Sequence, residues 1–284
     1  MQSPAIPQPR WHYPRVLSIA GSDSGGGAGV QADLKTFAAL GCFGTTAITA
    51  LTAQNTLGVR SIHAVPLEVL ADQIDAVAED IGIDAVKIGM LHSAPTVETV
   101  ASALDRHALR QVVLDPVMVA TSGAKLIDPQ AVATLVRELF PRALVVTPNL
   151  DEAAMLVDRP LRTEADMESA ARQLLAMGAR AVLLKGGHLA GDAVSDLLLT
   201  RDGAPQWFRA ARIATPNTHG TGCTLSSAIA SFMALGADLP EAAAKAREYV
   251  RGALEAGAAV RTGAGSGPLN HSYAPQPMRL LPLA

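Results

Sequence analysis

The stretch Val112-Val113-Leu114-Asp115-Pro116-Val117-Met118 decides the fold class. Its opening apolar run reads as a strand buried on both faces, and the Asp-Pro step ends it. The same design recurs along the chain. Val16-Leu17-Ser18-Ile19-Ala20 runs into Gly21, and Ala85-Val86-Lys87-Ile88 into Gly89-Met90. Leu144-Val145-Val146 runs into Thr147-Pro148-Asn149, and Ala181-Val182-Leu183-Leu184 into Lys185-Gly186. Helical periodicity fills the intervals at residues 67–80, 95–106, 129–139 and 163–177. Continuous apolar strands alternating with helices specify an α/β protein with a mostly parallel central sheet and helices on both faces. Outside this series, Gly44–Thr52 is rich in β-branched residues, and Ser61–Val65 is a further short strand. Segments 196–200 and 206–210 read as a hairpin turning at Asp202-Gly203. A helix after Gly29 places Val30, Leu34, Phe37 and Leu40 on one face, and a last helix covers 241–260.

The 284 residues suit one large α/β domain, expected over 15–273. Residues 1–14, rich in proline, read as a flexible arm; the Gly- and Pro-rich end from Gly263, with 274–284 as a tail, reads as loosely structured. Hydrophobic residues reach 49% while aromatics are 4%, so the core is built from Ala, Val, Leu and Ile. A net charge of −3 gives no electrostatic footprint for nucleic acid. No apolar run approaches the roughly 18 residues of a membrane span, and the N-terminus lacks the pattern of a signal peptide. Cys42 and Cys223, far apart, do not suggest a disulfide scaffold. The expectation is a cytoplasmic protein.

In a parallel sheet ligands bind beyond the carboxyl ends of the strands. Polar residues collect there: Asp115, Asn149, Lys185 and the loop Gly21-Ser22-Asp23-Ser24-Gly25-Gly26-Gly27-Ala28-Gly29. That loop is neither a Walker A sequence nor a dinucleotide fingerprint. A second glycine turn, Asn217-Thr218-His219-Gly220-Thr221-Gly222-Cys223, runs straight into a helix through Leu225, Ile229 and Phe232. The free N–H groups of a helix start favour an anion, and Gly220 and Gly222 let it approach the backbone. The turn is expected to hold charge developing on a transferring phosphoryl group. At such a place the Cys223 thiol should have a lowered pKa. Each residue also has a plainer reading. Asp33 can be a helix-start charge, Asp115 a turn cap before Pro116, and Gln54 an exposed amide at a strand end.

Taken together, the motifs resemble the hydroxymethylpyrimidine/phosphomethylpyrimidine kinase family over about residues 15–273. They are Ala20-Gly21-Ser22-Asp23 with Gly25–Gly29 and Gln31–Lys35, Ala53-Gln54-Asn55-Thr56, Lys87-Ile88-Gly89-Met90-Leu91, Leu114–Met118, Thr147-Pro148-Asn149 with Glu152, Lys185-Gly186-Gly187-His188 and His219–Cys223. The resemblance implies a ribokinase-like fold without a separate lid domain. It also implies an ATP-dependent enzyme of thiamine biosynthesis that phosphorylates 4-amino-5-hydroxymethyl-2-methylpyrimidine and then its monophosphate. It places Gln54, Asp33, Gly21 and Met90 on the pyrimidine, and Lys185 and Asn149 on the nucleotide. Glu152 and Asp115 go with Mg²⁺, and Cys223, Gly220, Thr221 and Gly222 with catalysis. Cysteine stands where the wider superfamily has aspartate. The resemblance further implies a homodimer.

Three other readings compete. A pyridoxal or pyridoxine kinase would keep the fold and change the ring. A cysteine hydrolase using Cys223 with His219 lacks an acid to orient the histidine. A regulatory nucleotide-binding module leaves the set Lys185, Asp115, Glu152 and Cys223 without a purpose.

Overall fold

The computed structural model describes residues 10–119, 126–189 and 191–283; residues 1–9 of the expected arm lie outside them. The chain runs β1 (Trp11–His12), β2 (Arg15–Asp23), α1 (Gly29–Ala39), β3 (Phe43–Asn55), β4 (Gly58–Ala64) and α2 (Leu67–Ala76), the last prolonged by a π turn, Val77–Ile81. Next come β5 (Ala85–Ile88), α3 (Ala94–Arg106), β6 (Val112–Leu114), α4 (Pro129–Leu139), β7 (Val145–Val146), α5 (Leu150–Leu156), α6 (Glu164–Ala176) and β8 (Ala181–Leu184). The hairpin β9 (Ala193–Thr200) and β10 (Gln206–Ala211), then α7 (Thr221–Ala234), α8 (Leu239–Gly257) and β11 (Leu281–Pro282), complete it.

Nine strands form one sheet in the order β10-β9-β8-β7-β6-β5-β2-β3-β4. The strands from β8 through β3 pair in parallel, while β4 and the β9–β10 hairpin add antiparallel edges. The sheet is thus mostly parallel and mixed at both ends. Alternate residues of each buried strand feed separate cores. Leu17, Ile19, Val86, Ile88, Leu114 and Val146 pack toward α2–α6. Val16, Ala85, Val113 and Val145 pack toward α1, α7 and α8.

The period of two makes the next residue informative. Ser18 and Lys87 must point to the face of α1 and α7. They do, and both meet Asp33 there. This rotates α1 relative to the expected face: Asp33 and Thr36 are buried with Val30 and Phe37, while Leu34 is exposed. Apolar periodicity could not anticipate a carboxylate facing inward, because its compensating charge comes from a strand 54 residues away.

The arm and tail also differ from expectation where they are described. Trp11–His12 pair antiparallel with Leu281–Pro282. Gln276 and Arg279 donate backbone N–H groups to Ala39 and Gly41 carbonyls. Leu269 and His271 are buried, and Tyr249 Oη donates to the His271 carbonyl. Glycine and proline composition signals irregular backbone, but docking against α1, α7 and α8 holds that backbone in place. No helix among the described residues is long and apolar enough to cross a membrane.

Candidate active site

A cavity of about 870 Å³ opens at the carboxyl ends of β2, β3, β5, β6, β7 and β8. Eleven of the twelve residues expected at the site line it; Asp33 does not. Gly220 adopts φ +82 and starts α7 with no side-chain cap, so the helix start faces the cavity through backbone alone. A Cβ on Gly220 would overlap the Gly27 carbonyl, which is why only glycine fits where the two glycine loops cross.

Two residues further on, at the same helix start, polar groups converge on Gly222. A Cβ there would sit 3.1 Å from Lys185 Nζ and 3.6 Å from Asp115 Oδ2. Lys185 Nζ donates to Asp115 Oδ1 at 2.8 Å, and Thr147 and Ser226 hydroxyls also donate to Asp115. Burial would neutralise Lys185, but the Asp115 and Glu152 charges outweigh it and hold the ammonium above its usual range. The helix start therefore has a fixed cation beside it.

Asn149 caps α5 and forms a reciprocal capping box with Glu152: Glu152 N–H donates to Asn149 Oδ1, and Asn149 N–H to Glu152 Oε2. Burial, with the Asp115 charge adding to it and the Lys185 charge opposing it, pushes the Glu152 carboxyl up to about 7. Two carboxylates gathered beside the anion turn suit a divalent cation. Mg²⁺ takes few protein oxygens and completes its shell with water and phosphate. Among the described residues no group of three or more His, Cys, Asp or Glu is gathered for a metal.

Gly21 and Met90 lie against each other, a Cβ on Gly21 falling 2.8 Å from Met90 Cε. Gln54 comes from the end of β3 and lines the same wall. Asp33 sits beneath the floor, fully buried, both oxygens 2.9 Å from Lys87 Nζ. Ser18 and Ser227 hydroxyls donate to it as well. With β2, β5 and α7 bonded to it, Asp33 acts on the cavity through Lys87, which forms part of the floor.

The expected depression of the Cys223 pKa is not found. Burial raises the thiol, and the Lys87 charge and the Gly29 N–H only partly offset this while Asp33 and Asp115 add to it. A helix start lowers a thiol pKa where water still reaches it; here protein encloses most of the group. Lys87 is the residue that sequence reasoning missed. The signal was present, since a lysine inside Ala85-Val86-Lys87-Ile88 is a charge in a buried strand and requires a partner. His219 entered the sequence reading only as the partner of Cys223 in a hydrolase. It hydrogen-bonds Asp23, 2.9 Å from Nε2 to Oδ2, and so fastens one glycine loop to the other.

A family model described as phosphomethylpyrimidine kinase matches residues 23–270. The chain belongs to that family. A hydroxymethylpyrimidine/phosphomethylpyrimidine kinase of Rhizobium meliloti is 52% identical over 259 residues, 91% of this chain and 97% of the relative. The thiamine biosynthesis bifunctional protein ThiED of Geobacter sulfurreducens is 53% identical over 271 residues. That alignment takes in 94% of this chain but 54% of the relative, so the chain spans about half of that protein's length. Among solved structures, an ADP complex of Bacillus subtilis pyridoxal kinase superposes with a TM-score of 0.84 at 35% identity, covering 91% and 97% of the two chains. The fold is ribokinase-like. Membership in the family makes the chain a kinase and leaves the hydrolase reading without support.

Proposed function

We propose that this cavity transfers the γ-phosphoryl group of ATP to the hydroxymethyl oxygen of 4-amino-5-hydroxymethyl-2-methylpyrimidine, then phosphorylates the resulting monophosphate to the diphosphate, in thiamine biosynthesis. The observation that carries the reading is the convergence of Lys185, Asp115 and the uncapped start of α7 on Gly222. Phosphoryl transfer needs positioning and fixed positive electrostatics around the transferring group, and these groups supply both.

In this reading the ring lies between Gln54, the Gly21 backbone and Met90. Lys185 neutralises nucleotide phosphate oxygens as a point charge, and the Asn149 side-chain nitrogen, left free of the capping bond, faces the nucleotide. Asp115 and Glu152 would hold Mg²⁺, which would offset phosphate charge there. In the first transfer the alcohol oxygen forms a bond to the γ-phosphorus, the bond to ADP breaks, and the alcohol proton is released. Cys223 receives that proton as a thiolate, a minority state that burial opposes and the Lys87 charge favours. In the second transfer the acceptor oxygen is already anionic and needs no base. A neutral thiol then leaves the phosphate unopposed. An aspartate at about 5 Å in an effective dielectric of about 20 would cost roughly 3 kcal/mol per charge pair.

The enzyme is proposed to work in the cytoplasm as a homodimer. Both cysteines are free, and Leu51 and Leu57 on the β3–β4 edge are exposed at 48% and 69%. Sedimentation of the purified chain tests the dimer.

The similarity to a pyridoxal kinase favours one second reading, in which the preferred acceptor is pyridoxine. Coupled measurement of ADP release separates the two. The proposed reading expects a higher kcat/KM for the aminopyrimidine; a higher value for pyridoxine replaces it.

A further inference from the structure

The side chains around Gln54 fix more than its position. Asp23 is the starting point. Its Oδ1 accepts from Gly25 N–H at 2.8 Å, and its Oδ2 from Gly27 and Ala28 N–H at 3.2 and 2.9 Å. Burial would raise this carboxyl, but the His219 bond and the backbone donors outweigh it and hold it below the usual range. Asp23 is therefore an ionised group that can only accept. His219 Nε2, 2.9 Å from Oδ2, must carry a hydrogen.

One end of the Gln54 amide lies 3.4 Å from that same Nε2, and the other lies 3.1 Å from Thr52 Oγ1. With nitrogen toward His219, two N–H groups oppose each other. Thr52, whose hydroxyl already donates to the Ser22 carbonyl at 2.8 Å, would then need a second hydrogen for the amide oxygen. With oxygen toward His219, both conflicts vanish. His219 Nε2–H reaches Gln54 Oε1 as a weak second acceptor, and Gln54 Nε2–H donates to Thr52 Oγ1. Amide orientation is set by its network, and this network admits one orientation.

We infer that Thr52 and His219 are positioning residues that hold the Gln54 amide in a single donor–acceptor order, and that this order selects the ring. The inference rests on the proposed reading that Gln54 contacts the substrate. An aminopyrimidine presents an amino donor beside a ring-nitrogen acceptor in a fixed order. A hydroxypyridine presents a hydroxyl, which donates or accepts as required. A locked amide therefore favours the aminopyrimidine without reorganising, whereas a freely flipping amide serves the hydroxypyridine nearly as well.

Thr52→Val removes the acceptor for Gln54 Nε2–H, and Thr52→Ser retains it. For Thr52→Val, KM for the aminopyrimidine should rise about tenfold, the worth of one neutral hydrogen bond of about 1.4 kcal/mol. KM for pyridoxine should rise clearly less, kcat for both should stay within about threefold of the parent, and Thr52→Ser should restore both KM values. Equal KM changes for the two rings, or failure of serine to rescue, overturn the inference. A second readout needs no activity: nitrogen-15 NMR of the imidazole should show His219 Nε2 protonated at neutral pH, and a bare Nε2 overturns the assignment. Gln54→Ala separates the two levels. If it leaves KM for the aminopyrimidine unchanged, Gln54 is not a substrate contact and the proposed reading of that residue fails, the inference with it. If Gln54→Ala raises KM and Thr52→Val does not, the orientation inference alone fails.

Discussion

Replacing Lys87 with methionine would keep the apolar stem and delete the charge. Lys87 and Asp33 are both fully buried, and the pair joins β5 to α1 below the cavity. Removing one partner of a buried pair costs about 3–5 kcal/mol, because the other charge is left uncompensated. Asp33 keeps the Ser18 and Ser227 hydroxyls at 2.5 and 2.7 Å, which places the cost near the lower bound. Over 284 residues, at about 2.1 cal/mol/K each, a loss of about 3 kcal/mol lowers Tm by about 5 °C. Lys87→Met combined with Asp33→Asn removes the stranded charge while keeping the hydroxyl contacts, and should recover more than half of the loss. The same substitution takes away the Lys87 charge, which favours the Cys223 thiolate. Alkylation of Cys223 should therefore slow at a given pH. Burial has pushed the only other thiol, Cys42, up to about 12, so the reaction reports on Cys223. Calorimetry and timed alkylation of folded protein measure both effects. A loss of under about 1 kcal/mol for Lys87→Met, or a double variant as unstable as the sum of its parts, would refute a charge pair held without solvent.

Further outcomes follow from the other residues. Glu152 has a folded-state value of about 7, above the ordinary carboxyl range near 4.3, so between these values the folded chain holds a proton that the unfolded chain has lost. Stability should fall as pH rises through that window; Glu152→Gln should flatten the dependence, and a slope unchanged in the variant would assign it elsewhere. Metal–nucleotide binding near pH 7 should release a fraction of one proton, seen by titration calorimetry in buffers of different ionisation enthalpy and absent in Glu152→Gln. Lys185→Ala should weaken ATP binding at least tenfold, the cost of losing a charge-assisted hydrogen bond of about 1.5–3 kcal/mol, and leave binding of the pyrimidine alone intact. A lost pyrimidine signal would put Lys185 in the wrong half of the cavity. Cys223→Ala should slow phosphorylation of the alcohol by about a hundredfold or more and the monophosphate far less, while Cys223→Asp should impair mainly the second step. Equal proportional losses in both steps, measured from separately purified acceptors, would remove Cys223 from that distinction.

The strand series, the sheet class and the edge bearing the site were legible because burial on two faces writes itself as uninterrupted apolar runs, as in Val112–Leu114. The polar residues that end those strands were legible for the same reason: Asp115, Asn149 and Lys185 stand at breaks in the pattern. Asp33 was misread because local sequence shows a carboxylate near a helix start, while its burial is decided by Lys87 on another strand. The Cys223 thiol went the same way: position at a helix start is local, but the enclosure that raises its pKa is assembled from α1, β5 and α7. The tail beyond Gly263 looked loose because its contacts, Pro268 beside His219 and His271 against Thr224, are all long-range. Pairings between distant, individually unremarkable residues leave no periodic trace.

The most direct test is to incubate the purified chain with Mg-ATP and the hydroxymethylated aminopyrimidine, following phosphorus-31 NMR over time. A monophosphate should appear first and then give way to a diphosphate, with two ATP consumed per pyrimidine. ATP turnover without a phosphorylated pyrimidine, or accumulation that stops at the monophosphate under excess ATP, would contradict one cavity performing both transfers.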